Sequence, residues 1–205
     1  MKWWSSPRVY HRRRRQRLIV SVAQADYDRT VAELGIKHRA DAAARELMSA
    51  GMDATPAVRR GLQHTDPRVR ARCCGVLDHF MDEQAIPALL KNLGDPDPKV
   101  RLTAMHALVC DRCKEDACRP AETDVVEAAM RLLAEDPDRQ VRTHALGPAV
   151  HRRADAKEAL VIAHETDSDP LVRKVAGWYC PGGPILERLK PRLVRRDFRR
   201  VLAHS

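Results

Sequence analysis

The sequence predicts an all-α solenoid of four to five stacked helical hairpins, and three observations carry that expectation. A short phrase recurs four times: Asp66-Pro67-Arg68-Val69-Arg70, Asp97-Pro98-Lys99-Val100-Arg101, Asp138-Arg139-Gln140-Val141-Arg142 and Asp169-Pro170-Leu171-Val172-Arg173. The four aspartates stand 31, 41 and 31 residues apart, a period at which one unit cannot bury its own apolar face and must stack on a copy. Each phrase also opens a stretch of apolar or small residues at helical spacing.

The elements follow in chain order. Residues 1–25 form a basic tail, with Trp3, Trp4, Tyr10 and His11 ahead of Arg12, Arg13, Arg14, Arg15 and Arg17. Tyr27 to Leu34 and Arg39 to Ala50 read as a degenerate first hairpin, which Gly51 closes because glycine tolerates the left-handed turn at a helix end. From there to residue 180 each phrase begins the second helix of a hairpin. The aspartate is a strong N-cap, since its carboxylate accepts orphan backbone N–H groups of the first turn. Proline at the first helical position lacks an N–H that would be unpaired anyway.

With the aspartate as zero, position three is Val69, Val100, Val141 and Val172. Position seven is Cys73, Ala104, Ala145 and Ala176, and position eleven is Leu77, Leu108, Ala149 and Cys180. These columns mark the inward face, and the small residue at seven admits a neighbouring helix. The first helices of the hairpins are expected at Ala57 to Gln63, Pro87 to Leu93, Val125 to Leu133 and Glu158 to His164.

The phrase Asp-Pro-x-Val-Arg followed by small and aliphatic residues resembles the HEAT repeat, in the compact version also found in phycobilin lyases. The unit is shorter than the roughly 40–47 residues usual for that repeat, and the resemblance spans about residues 26–180. It implies an α-solenoid whose recurring Asp and Arg pair between units. Arg70, Arg101, Arg142 and Arg173 would thus form a ladder with Asp66, Asp97, Asp138 and Asp169. It fixes no activity, because such folds host scaffolds, lyases and DNA glycosylases alike.

The middle interval carries ten surplus residues, an insertion at about 109–121 holding Cys110, Cys113 and Cys118. Cys110 is position thirteen of its helix, about 120° from the inward centre at 100° per residue, so core burial does not explain it. His106 is its i, i+4 neighbour on the same face. His106, Cys110, Cys113 and Cys118 make a candidate Cys3His site for a structural zinc ion. A disulfide, reduced thiols, an iron–sulfur cluster or a redox pair remain the alternatives, and His79 or His151 could replace His106. Cys73, Cys74 and Cys180 read instead as small buried hydrophobes.

The net charge of +9 is concentrated at the ends. Residues 1–25 hold seven Lys/Arg and no acid, and residues 185–205 hold seven against Glu187 and Asp197. The body between has 23 basic and 26 acidic residues, leaving it near neutral. The tails, including Arg195, Arg196, Arg199 and Arg200, are candidate polyanion-binding segments. The C-terminal one, residues 181–205, has the alternation of a basic amphipathic helix.

No apolar run is long enough to span a membrane, and Leu18 to Ala23 is too short for a secretory core; a cytoplasmic protein is expected. Phosphate-binding loops, nucleophile elbows and protease-type metal helices are missing from the sequence. The repeat body has one tryptophan, Trp178, and none of the aromatic cluster by which HEAT-like glycosylases hold a damaged nucleotide. The functional expectation is a non-enzymatic scaffold for a protein partner, with helix-start residues such as Arg68, Lys99 and Arg139 lining its surface. The alternative is a nucleic-acid-associated protein that uses its basic tails.

Overall fold

The computed structural model describes residues 26–79, 82–109, 122–150 and 154–185, and every regular element among them is helical. Helix α1 covers residues 26–33, α2 Ala40–Ala50, α3 Thr55–Gly61, α4 Pro67–His79, α5 Ile86–Asn92 and α6 Pro98–Val109. They are followed by α7 Glu122–Glu135, α8 Arg139–Val150, α9 Ala154–Thr166 and α10 Pro170–Tyr179. Consecutive pairs form hairpins. The second helices stack directly, α2 on α4, α4 on α6, α6 on α8 and α8 on α10. The first helices make the other layer, with α7 against α9. This is the α-solenoid the period predicts.

The caps form as the phrase requires. Asp66 accepts the Arg68 N–H at 2.9 Å, Asp97 the Lys99 N–H at 2.8 Å, Asp138 the Gln140 N–H at 2.7 Å and Asp169 the Leu171 N–H at 2.8 Å. Each bond satisfies a donor that the first helical turn leaves without an internal partner. At the other end of a helix, Gly51 takes φ +61° and donates back to Leu47, closing α2.

The three inward columns are the core. Val69, Val100, Val141 and Val172 are fully buried, as are Cys73, Ala104, Ala145 and Ala176, and Leu77 above them. Leu108 and Cys180 continue the third column as buried residues. From the first helices Val58, Leu89, Leu132, Leu133 and Leu160, with Leu62 and Leu93 just past the ends of α3 and α5, close onto these columns. Gly61 shows how near the layers come. A Cβ there would overlap Cys73 Sγ and lie 2.7 Å from Val31 Cγ1.

Helix lengths differ from expectation in one layer. Helices α3 and α5 have 7 residues and α7 and α9 have 14 and 13. A proline at the first or second helical position fixes where α3 and α5 begin. No such residue bounds α7 and α9.

Candidate functional site at the helix-start edge

The recurring arginine is the centre of a three-part joint. Arg70 Nη1 donates to the carbonyls of His64 and Thr65, in the turn of its own hairpin, at 2.8 and 3.0 Å. Its Nε and Nη2 donate to the two carboxylate oxygens of Asp95, each at 2.7 Å. Arg101 repeats this with the carbonyls of Asp95 and Pro96 and the carboxylate of Asp136, again 2.7 Å to each oxygen. Arg142 does so with the carbonyls of Asp136 and Pro137 and with Asp167 at 2.9 and 3.0 Å.

A planar guanidinium fits a carboxylate through two parallel bonds, which fixes orientation as well as distance. Each guanidinium therefore ties its own turn to the turn of the next hairpin. The ladder crosses the insertion with its geometry kept, although Arg101 and Asp136 are 35 residues apart against 25 for the joints on either side.

These acids correct the family-implied ladder. The partners are not the capping residues Asp97, Asp138 and Asp169 but the aspartates two positions earlier. The two roles are divided: each capping carboxylate accepts N–H groups of its own first turn, and where one meets an arginine it is an exposed one, Arg68 at Asp66 and Arg139 at Asp169. The earlier aspartate holds the turn together as well, for Asp95, Asp136 and Asp167 accept the N–H of Asp97, Asp138 and Asp169 at 2.8–2.9 Å. At the first phrase His64 Nδ1 takes that place, accepting from Asp66 N at 3.0 Å.

The joint is also electrostatically settled. Burial alone would raise the Asp95 carboxyl, but the Arg70 guanidinium and the Asp97 N–H outweigh it and hold it below the ordinary 3.8. Contact with their carboxylates raises Arg70, Arg101 and Arg142 further above their usual value.

Outside this buried row lies an exposed one. The Arg68 side chain is 65% exposed and bound to Asp66 at 2.8 Å. Lys99 is exposed, and Arg139, 59% exposed, reaches Asp169 of the next hairpin at 3.5 Å. The helix starts thus bring the three predicted surface residues to one edge, each a hairpin apart.

Of the candidate zinc ligands, His106 alone falls among the described residues. It is exposed on α6 with Nε2 3.4 Å from Asp78 Oδ2 of α4. Cys110, Cys113 and Cys118 lie outside the described residues, as do His151 and the arginines of both tails. His79 is exposed at the end of α4. Among the described residues no His, Cys, Asp and Glu gather as a metal-binding group, and no helix is long and apolar enough to cross a membrane.

Cys73 and Cys74 are fully buried on α4 and Cys180 is buried after α10, matching their reading as hydrophobes. Burial pushes the Cys74 thiol up to about 11.

Residues 31–109 match the family described as HEAT repeats. No curated protein matches the chain. Among solved structures it is similar to the crystal structure of an engineered protein, a Northeast Structural Genomics Consortium target. That similarity has 22% identity and a TM-score of 0.47, covering 74% of this chain and 76% of that chain. The fold rests on the helices and their joints rather than on that likeness. HEAT repeats generally serve as protein-interaction scaffolds. Residues 31–109 thus carry HEAT repeats, and the capped phrases and stacked hairpins continue the same pattern through α10.

Proposed function

We propose that the protein is a non-enzymatic scaffold that binds a partner protein along its helix-start edge. The observation that carries this reading is the exposed row of Arg68, Lys99 and Arg139 standing on a buried, bidentate ladder. The ladder fixes the spacing of the row before any partner arrives, so binding does not have to order the edge. Exposed charges of this kind steer encounter and fix register more than they add raw affinity.

The test uses the full chain. Partners are recovered from the native source with and without nuclease, and recovery is repeated with Arg68→Ala, Lys99→Ala and Arg139→Ala combined. Retention that survives nuclease and falls at least tenfold in the triple variant supports the proposal. Retention unchanged by the triple variant contradicts it.

One observation favours a second reading, the segregation of positive charge into residues 1–25 and 185–205. On that reading the tails anchor the protein to nucleic acid and the repeats act as a spacer. Partners lost on nuclease treatment, with affinity falling steeply as salt rises, would support it. The insertion remains a candidate structural zinc site of His106, Cys110, Cys113 and Cys118. Stoichiometric zinc in the purified protein supports that assignment, and three freely titrating thiols without metal remove it.

A further inference from the structure

The solvent face of the second helices changes character at the last hairpin. Counted from each capping aspartate, positions two, six and nine fall at i, i+4 and i+7 and share one side of the helix. On α4 they are Arg68, Arg72 and Gly75, on α6 Lys99, Thr103 and His106, and on α8 Gln140, His144 and Gly147. None of these is buried, and each is charged, polar or glycine. On α10 the same positions are Leu171, Val175 and Trp178. Leu171 is 45% exposed and Trp178 is 38% exposed, with Val175 half-buried between them.

The core does not require this change. Its columns are filled on α10 by Val172, Ala176 and Cys180, as on the earlier second helices. Apolar side chains scattered singly over a surface are ordinary. A row at i, i+4 and i+7 is instead the pattern by which one helix anchors on another.

Charge beside the row selects what fits it. Lys174 is exposed, with its Nζ 6.0 Å from the centre of the Trp178 ring. Toward the Leu171 end, Arg173 Nη1 donates to the carbonyls of Asp167 and Ser168 at 2.5 and 3.2 Å, in the turn that opens α10. The other two donor groups, which in Arg70, Arg101 and Arg142 hold a carboxylate, meet none at Arg173 among the described residues. Asp169, at the start of the helix, already accepts from the Leu171 N–H and from Arg139.

We propose that the outer face of α10 is a docking site for an acidic amphipathic helix of a partner protein. Its apolar stripe rests on Leu171, Val175 and Trp178, and its carboxylates reach Lys174 and the half-filled fork of Arg173. A second copy of this chain, packed α10 against α10, would set Lys174 against Lys174, a contact that like charge opposes. The chain's own residues 185–205 hold seven Lys/Arg against two acids, the wrong sign for this face. The site begins where the exposed row of Arg68, Lys99 and Arg139 ends and includes none of those residues, so each proposal can fail while the other stands.

Two synthetic helical peptides, titrated into the full chain and followed by the anisotropy of a fluorophore on the peptide, test this. Both carry leucine at i, i+4 and i+7; one is flanked by glutamates and the other by lysines. The glutamate peptide should bind roughly tenfold more tightly or better. Leu171→Gln combined with Trp178→His installs the residues that α8 and α6 carry at these positions. That variant should keep its Tm and lose roughly tenfold or more in affinity for the glutamate peptide. Lys174→Glu alone should shift the preference toward the lysine peptide. Equal affinity for the two peptides, unchanged binding in the double variant, or no binding at all overturns the proposal. Dimerisation of the chain alone that the double variant abolishes would also overturn it, by assigning the face to a second copy.

Discussion

Arg101 is the residue on which the middle of the molecule turns. Its side chain is 10% exposed and that of Asp136 is 2% exposed, so both charges are out of water and each depends on the other. Every remaining donor direction of the guanidinium that meets the turn finds a carbonyl. Removing one partner of such a pair strands the other, which typically costs about 3–5 kcal/mol. Asp136→Ala should therefore lower unfolding stability by that amount in denaturant titration. Arg101→Met combined with Asp136→Leu should lose much less, because no buried charge is left behind.

Gly61 makes a steric point at the same scale. Its missing Cβ leaves room for Cys73 and Val31, both in the core. Gly61→Ala should cost about 1–3 kcal/mol in the same titration through overpacking. No loss would mean that the two layers are looser than described.

At the scale of elements, α4, α6, α8 and α10 are each started by their own aspartate, and α4, α6 and α8 are each held to the next hairpin through a different one. Asp97→Ala should remove the cap of α6 at a cost of about 1 kcal/mol, visible as a small fall in stability. That is well under the loss from cutting the ladder acid Asp136. A loss equal to that of Asp136→Ala would show that capping and joining are not separate roles.

The second helices were the legible part of the sequence, because cap, proline and the columns at three, seven and eleven all impose the same register. The ladder acids were harder to read, since each of the last three turns offers two aspartates and the resemblance favours the capping one. The recurrence of Asp95, Asp136 and Asp167 two places earlier was the missed signal. His64 holds the same register in the first phrase and does the turn-bracing part of the work. First-layer helix ends were illegible where no proline marked them, as in α7 and α9. The thiols of the insertion fall outside the described residues.

Across the whole molecule the joints make stability sensitive to acid. Arg68 holds the Asp66 carboxyl below 3.8 through hydrogen bonds and charge, and the Leu171 N–H does the same for Asp169. Asp95 is also depressed, the pull of Arg70 and the Asp97 N–H exceeding the effect of burial. A carboxyl depressed in the folded state contributes stability that is fully present above its unfolded value and is lost as pH falls through the folded one. Stability should thus be flat in this contribution near neutrality and decline below about pH 4. Asp95→Asn should flatten part of the decline, measured as the slope of unfolding free energy against pH.

The account rests on hairpins locked through Arg70–Asp95, Arg101–Asp136 and Arg142–Asp167, and a double-mutant cycle across the middle joint tests it most directly. Unfolding stabilities of Arg101→Ala, Asp136→Ala and their combination should give a coupling of about 1–3 kcal/mol. The matching cycle of Arg101→Ala with Asp138→Ala should give a clearly smaller value. No coupling to Asp136, or a coupling to Asp138 as large or larger, would contradict the ladder.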